Sequence, residues 1–317
     1  MENSKRHPMA GSITGEYFVS DDGSVRVPAL MTRPAAFPKV REDLVAYTWN
    51  DSDFLLASYP KNGTNFIWEI MTMLVKGSAN YANIVKGALM IDIFPIGESS
   101  QLFPSPRVLN THYRTDVLPQ EFRKGKTVAI LRNPKDVCVS WYYDMKNLAS
   151  INSQSHLFED MNFSQYLPRF LHDKDAPYGT YFDFVEYMWS LRNNSNILIV
   201  FYEDLKLDPL ATIQKLNEFM ETNRSIDLIQ QIAEATSFDK MKEGKLLLSL
   251  SKDLIKLEHA DNEKGHSLLK QLKTRMGHIY RKGGIGDWKN HFTVAANKKF
   301  DDFLRQWEGG KSIPFKY

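Results

Sequence analysis

Phe54-Leu-Leu-Ala-Ser-Tyr-Pro-Lys-Asn-Gly-Thr-Asn-Phe66 decides the reading of this chain. The run from Phe54 to Tyr59 has the texture of a strand and stops at Pro60. Behind it, Phe66, Ile67, Ile70, Met71, Leu74 and Val75 recur at i, i+1, i+4 and i+5. That spacing predicts one broad apolar helix face, with Gly77 as its C-terminal stop. Strand, short loop and helix together offer an anion unpaired N–H groups and the positive end of a helix dipole. Gly63 permits close approach to the backbone, Lys61 adds a mobile cation, and Thr64 and Asn65 add side-chain donors. The loop is shorter than GxxxxGK[ST] and carries its Lys before the Gly. Alone, it is explained equally well by an ordinary capped turn.

The same texture continues outward. Val108-Leu109 opens a short strand ending near His112, and Thr127 to Leu131 is a stronger one, followed by Asn133-Pro134 and a helix. Ile197 to Phe201 is a third, ending at Tyr202-Glu-Asp. Thr293 caps a final helix with Ala296, Phe300, Phe303 and Trp307 on one face. This alternation predicts an α/β fold, a central mostly parallel β-sheet flanked by helices. Residues 1–40 hold Pro8, Pro28, Pro34 and Pro38 without periodicity and read as a flexible N-terminal arm. No internal repeat or linker divides the rest, so 41–317 reads as a single domain.

Composition narrows the function. The 317 residues are 43% hydrophobic and 25% charged, a globular mix. Forty Lys and Arg against 38 Asp and Glu leave a net charge of +2, so a basic site must be local and no nucleic-acid partner is expected. The single Cys138 excludes a disulfide framework and a multi-cysteine metal site. The longest apolar run, Ile197 to Tyr202, is far short of a membrane span. The polar start has no signal-like apolar core, so a cytoplasmic protein without a membrane partner is expected.

Three further segments carry candidate chemistry. Arg132 stands just past a buried strand, where α/β sheets place their ligand crevice, and Ser140 follows about two turns along the next helix. An Arg fork with a Ser hydroxyl suits a phosphate, although pairing of Arg132 with Asp136 is the blander account. Arg281-Lys-Gly-Gly-Ile-Gly-Asp-Trp288 places two cations before three glycines, a loop able to fold over an anion. His112 stands out among eight histidines, none of which shows metal-ligand spacing, because it ends an apolar strand at the sheet edge of the first loop.

Taken in this order, YPKxGTN, RNPKDVxVS and RKGxxGDWKNxFT resemble the cytosolic sulfotransferases over roughly residues 40–310, as a divergent, 6B-like member. The resemblance implies a P-loop-like sulfotransferase fold. It also implies transfer of a sulfuryl group from 3′-phosphoadenosine 5′-phosphosulfate (PAPS) to a hydroxyl or amine of a small, ring-bearing acceptor. The product is adenosine 3′,5′-bisphosphate (PAP), and no metal is implied. By the same resemblance, Lys61, Asn62, Gly63, Thr64, Asn65 and Phe66 hold the 5′-phosphosulfate, and Arg132 and Ser140 hold the 3′-phosphate. Tyr202 lies near the adenine, and Thr236, Ser237, Phe238 and Met241 match a cofactor stretch. Arg281, Lys282 and Gly283 match a second 3′-phosphate clamp, and His112 matches the catalytic base, with Lys61 stabilising the leaving group.

Four departures stand beside it. Asn110 replaces a Lys in the family's Lys-Thr-His, removing a cation, and Phe66 replaces a Trp. The dimer segment Lys289…Thr293-Val294 closes on Lys298 instead of Glu, which weakens the expectation of a homodimer. The 242–280 stretch is about 15 residues longer than usual, an extended lid segment on the expected acceptor side. Two rivals remain. A P-loop kinase or hydrolase needs a GK[ST] that is missing here, and a catalytically weak or silent PAP-binding protein would retain the loops without the turnover.

Overall fold

The computed structural model describes residues 6–8, 16–19, 26–28, 37–81, 86–151, 161–174, 176, 178–249 and 281–317. Its centre is a parallel sheet of β4 (Phe54–Ser58), β5 (Val108–Thr111), β6 (Thr127–Leu131) and β7 (Ile197–Phe201), in the order β5-β4-β6-β7. Phe54 pairs with Val108, Leu55 with Thr127, and Leu131 with Phe201. Every residue of β4, β5 and β6 is buried, which is why β4 and β6 read as nearly continuous apolar runs without alternation, while β5 buries Asn110 and Thr111 as well. In the stretch read as an arm, β1 (Arg6–Pro8), β2 (Glu16–Val19) and β3 (Arg26–Pro28) pair as an antiparallel meander.

After α1 (Phe37–Ala46), α2 (Thr64–Lys76) follows β4 directly. It starts at Gly63 with no side-chain cap and ends at Gly77 in the left-handed region, as the sequence reading expects. Ile67, Ile70, Met71 and Leu74 are buried, but so are Trp68, Glu69, Thr72 and Met73. The helix is enclosed on nearly every side, wider than the one-face periodicity implied. The Trp68 indole N–H donates to the Val108 carbonyl at 2.8 Å, tying α2 to the edge strand.

Among the described residues, the helices that follow are α3 (Ile96–Leu102), α4 (Pro134–Ile151), α5 (Phe163–His172), α6 (Tyr181–Ser190) and α7 (Tyr202–Leu207). Then come α8 (Pro209–Phe219), α9 (Ile226–Ala235), α10 (Phe238–Ser249) and α11 (Val294–Gln306). Thr293 caps α11 by accepting the Ala296 N–H at 3.1 Å, and Ala296 and Phe300 turn into the core. Most of the expected lid, 250–280, lies outside the described residues.

This strand order fixes where a ligand can sit. The chain leaves β4 for β5 on one side, then crosses back to β6 on the other, so the sheet reverses direction between β4 and β6. A crevice opens outside the carboxyl ends of strands at such a reversal. The loops leaving β4 and β6 there are those that begin with Tyr59 and Arg132.

Candidate functional site

Four strand ends supply the site. The loop after β4 coils tightly, with Lys61 at φ 71° and Gly63 at φ 102°. A Cβ at Gly63 would stand 2.5 Å from the Tyr202 ring, so only glycine fits this approach. Asn62 is buried and donates to the Ile130 carbonyl at 2.8 Å, while Thr64 and Ser58 share a hydroxyl bond of 2.7 Å. Both side chains therefore anchor the loop instead of facing outward. Asn65 stays half-buried in the first helical turn. The Lys61 ammonium is 2.7 Å from the Asp144 carboxylate on α4, a partner that sequence reasoning missed.

Arg132, at the end of β6, does not pair with Asp136. Its guanidinium donates to the carbonyls of Lys61 at 3.0 Å and Gly284 at 3.1 Å, and stacks 4.2 Å from the Tyr202 ring centre. Its Nε is buried without a protein partner. Asp136 instead accepts the N–H groups of Gly286 at 2.7 Å and Trp288 at 2.9 Å, seating the basic loop on the first turn of α4. Tyr202, opening α7, donates its hydroxyl to the Gly283 carbonyl at 3.0 Å. One arginine thus bridges the loops of Lys61 and Gly284, which lie on either side of it in the sequence.

Arg281 and Lys282 converge on Asp287, at 2.6 and 2.7 Å. Burial works to raise the Asp287 carboxyl, but hydrogen bonds from Lys282, Asn290 and Arg281 overcome it and hold it far below the carboxylate range. A Cβ on Gly283, at φ 63°, would overlap the Phe238 ring. Phe238 and Phe66 both approach Lys206, whose ammonium lies 5.9 and 5.7 Å from their ring centres. Burial lowers the Lys206 pKa. Thr236 gives its hydroxyl to the Ile232 carbonyl of α9 and Met241 is buried, so both are taken up by packing beside Phe238 in the sequence. Ser237 is exposed, and Ser140 is half-buried on α4, one turn before Asp144.

His112 follows β5. Its Nδ1 lies 2.6 Å from the Ser58 carbonyl, which can only accept, so Nδ1 carries the proton and Nε2 is left as a hydrogen-bond acceptor. Burial, then the charge of Lys86, then that of Lys61 lower its pKa to about 3, against a rise from the Ser58 bond. Asp92 accepts the His112 main-chain N–H at 2.7 Å and the Thr111 hydroxyl at 2.5 Å. Burial raises Asp92 to about 7, while those two bonds and Lys86 act against the rise. Neither Asp92 nor Lys86 lies in a motif, and only their pairing with the strand end marks them.

The crevice fits a ligand with several anionic groups and a flat ring. Cations of Lys61, Arg132, Arg281 and Lys282 gather around it, two glycines sit where side chains would fill it, and Phe66, Tyr202 and Phe238 supply ring faces. Asn110, whose substitution was expected to remove a cation, accepts the Lys86 ammonium at 3.0 Å. Among the described residues no helix is long and apolar enough to cross a membrane.

A family model described as the sulfotransferase domain matches residues 51–311. Human Sulfotransferase 1C2 is 33% identical over 277 residues, covering 83% of this chain and 85% of that protein. Mouse Sulfotransferase 1A1 is 33% identical over 291 residues, covering 88% and 92%. A solved structure of mouse sulfotransferase SULT7A1 complexed with PAP superposes with a TM-score of 0.65 at 23% identity, over 95% of this chain and 97% of that one. These similarities establish a family and not a subtype.

Proposed function

The chain belongs to the sulfotransferase family, and we propose that it moves a sulfuryl group from PAPS to a hydroxyl or amine of a small, ring-bearing acceptor, with His112 as general base. The observation that carries the base assignment is the 2.6 Å bond from His112 Nδ1 to Ser58, the last residue of the strand that feeds the anion loop. It fixes the tautomer that leaves the Nε2 lone pair free, at the same sheet edge as Lys61, and an anionic donor in the site would offset the lysine charges that lower the ring's pKa.

PAPS supplies an activated sulfuryl group and leaves as PAP. The protein's part is positioning and charge. His112 Nε2 takes the acceptor proton, with the ring held by Ser58 and the main chain held by Asp92. Lys61 leaves Asp144 to meet the negative charge that grows on the leaving group. Arg132, Arg281 and Lys282 hold the second phosphate, and the orphaned Nε of Arg132 supports this reading. Phe66 and Phe238 flank the adenine, with Tyr202 closing the side next to Gly63. A homodimer is compatible with this reading, with the Lys289–Lys298 segment altered at Lys298, whose ammonium pairs with Asp302 on its own helix at 2.9 Å.

The test is transfer of label from ³⁵S-labelled PAPS to a panel of phenols, alcohols and amines. Parent enzyme should form a labelled product, and His112→Ala should lose about 10²–10⁴ in rate while still binding PAP. Product formation at the parent rate by His112→Ala would remove the base assignment. No product with any acceptor, despite PAP binding, would favour a silent binder.

A further inference from the structure

We propose that Lys86 is a second cation of the transfer centre, held beside His112 by the side chain of Asn110. The proposal rests on the sulfuryl-transfer reading above and adds a residue to it.

Asn110 grips the turn at Lys86–Leu89 from both ends of its amide. Its Nδ2 donates to the carbonyls of Lys86 at 3.1 Å and Leu89 at 2.9 Å, and its Oδ1 accepts the Lys86 ammonium at 3.0 Å. The main chain reinforces the grip, since the Ile91 N–H donates to the Asn110 carbonyl at 3.0 Å. Asp92 then takes the Thr111 hydroxyl and the His112 N–H. Segment 86–92 is therefore fastened to residues 110–112 at each successive position.

Asn110 stands in β5 and His112 directly follows the strand's last residue, Thr111, so the ammonium held on Asn110 sits two positions along the chain from the imidazole. The charge of Lys86 acts on both His112 and Asp92, and the charge of Lys61 acts on His112 as well. Among the described residues, the Ser58 carbonyl and the Tyr178 ring also meet the imidazole, the two ring centres lying 5.3 Å apart. Asp92 meets the main chain of His112. Negative charge building on the transferring oxygens would meet Lys61 and Lys86 across a buried imidazole, where fixed charges act more strongly than in water. The strand thus offers an amide at position 110, and the cation arrives from the neighbouring turn.

The experiment needs no knowledge of the acceptor. Orthovanadate binding in the presence of saturating PAP mimics the five-coordinate in-line transition state. Lys86→Met should weaken vanadate binding about tenfold or more, while PAP affinity stays within about twofold of the parent. Lys86→Arg, and Lys86→Met combined with Asn110→Lys, should each restore most of the loss. Vanadate affinity equal in the parent and Lys86→Met would overturn the proposal. So would a parallel loss of PAP and vanadate, which would make Lys86 a structural or cofactor-binding residue. A parent that binds no PAP would overturn the underlying sulfuryl-transfer reading instead, a result distinct from either.

Discussion

The Lys61 ammonium lies 2.7 Å from the Asp144 carboxylate, so the cation of the anion loop already has a counter-ion, with both side chains largely buried. On the proposed function, Lys61 exchanges this partner for the anionic donor. Asp144→Asn removes the competitor and should tighten PAP binding by about three- to tenfold, roughly 0.7–1.4 kcal/mol. Calorimetry on the two proteins at one salt concentration reads this directly. Unchanged or weaker binding would mean that Lys61 keeps its bridge when the site fills.

Arg132 spans the Lys61 and Gly284 carbonyls and covers Tyr202. Arg132→Ala removes a charge and the tie between two loops. PAP binding should fall by about 2–3 kcal/mol, the scale of losing a charged hydrogen-bonding group from a buried site. A loss below threefold in the dissociation constant would place the phosphate elsewhere.

Gly63 and Gly179 separate backbone strain from close approach. Both have positive φ, 102° and 74°, but a Cβ at Gly179 meets nothing within 4 Å, whereas one at Gly63 meets Tyr202. Gly179→Ala should cost about 1 kcal/mol in a denaturant titration and leave PAP affinity unchanged. Gly63→Ala should cost more stability, about 1–3 kcal/mol, and also lower PAP affinity. Equal effects of the two substitutions on PAP binding would contradict the crevice assignment.

The strands were legible because burial on both faces leaves a plain record in sequence. Leu55 to Ala57 and Val128 to Leu131 have nowhere polar to point. The phosphate-loop candidates were legible as motifs, since Gly63 and Gly283 answer to a backbone shape that few residues tolerate. The counter-charges were not. Asp144, Asp287 and Asp92 take their meaning from what folding brings against them, and Lys86 meets Asn110 across 24 positions. Asp144 had one weak signal, a place one helical turn beyond Ser140. Trp68 was missed because α2 is enclosed beyond its apolar face, by contacts from β5, α8 and α9 that a single helix cannot announce.

His112 should remain neutral across the physiological range. Burial leads the lowering of its pKa to about 3, from an ordinary value of 6.5. The unfolded chain then binds this proton below about pH 6.5 and the native protein does not, so this group's contribution to stability falls as pH drops from 6.5 toward 3. Asp92 works in the opposite sense. Its raised pKa of about 7 makes its contribution fall as pH rises from about 4 to 7, so the two slopes partly offset. ¹⁵N spectra of the cofactor-free protein should show a protonated Nδ1 and no titration of His112 between pH 5 and 8. A midpoint near 6.5 would show the ring to be solvated and unable to hold the proposed tautomer.

If the crevice between β4 and β6 is built for PAPS, calorimetric titration with PAP reads it without a known acceptor. The expected dissociation constant is near micromolar or tighter, about −8 kcal/mol, with ATP bound far more weakly. No binding of PAP to folded protein at low salt, or equal affinity for ATP, would contradict it.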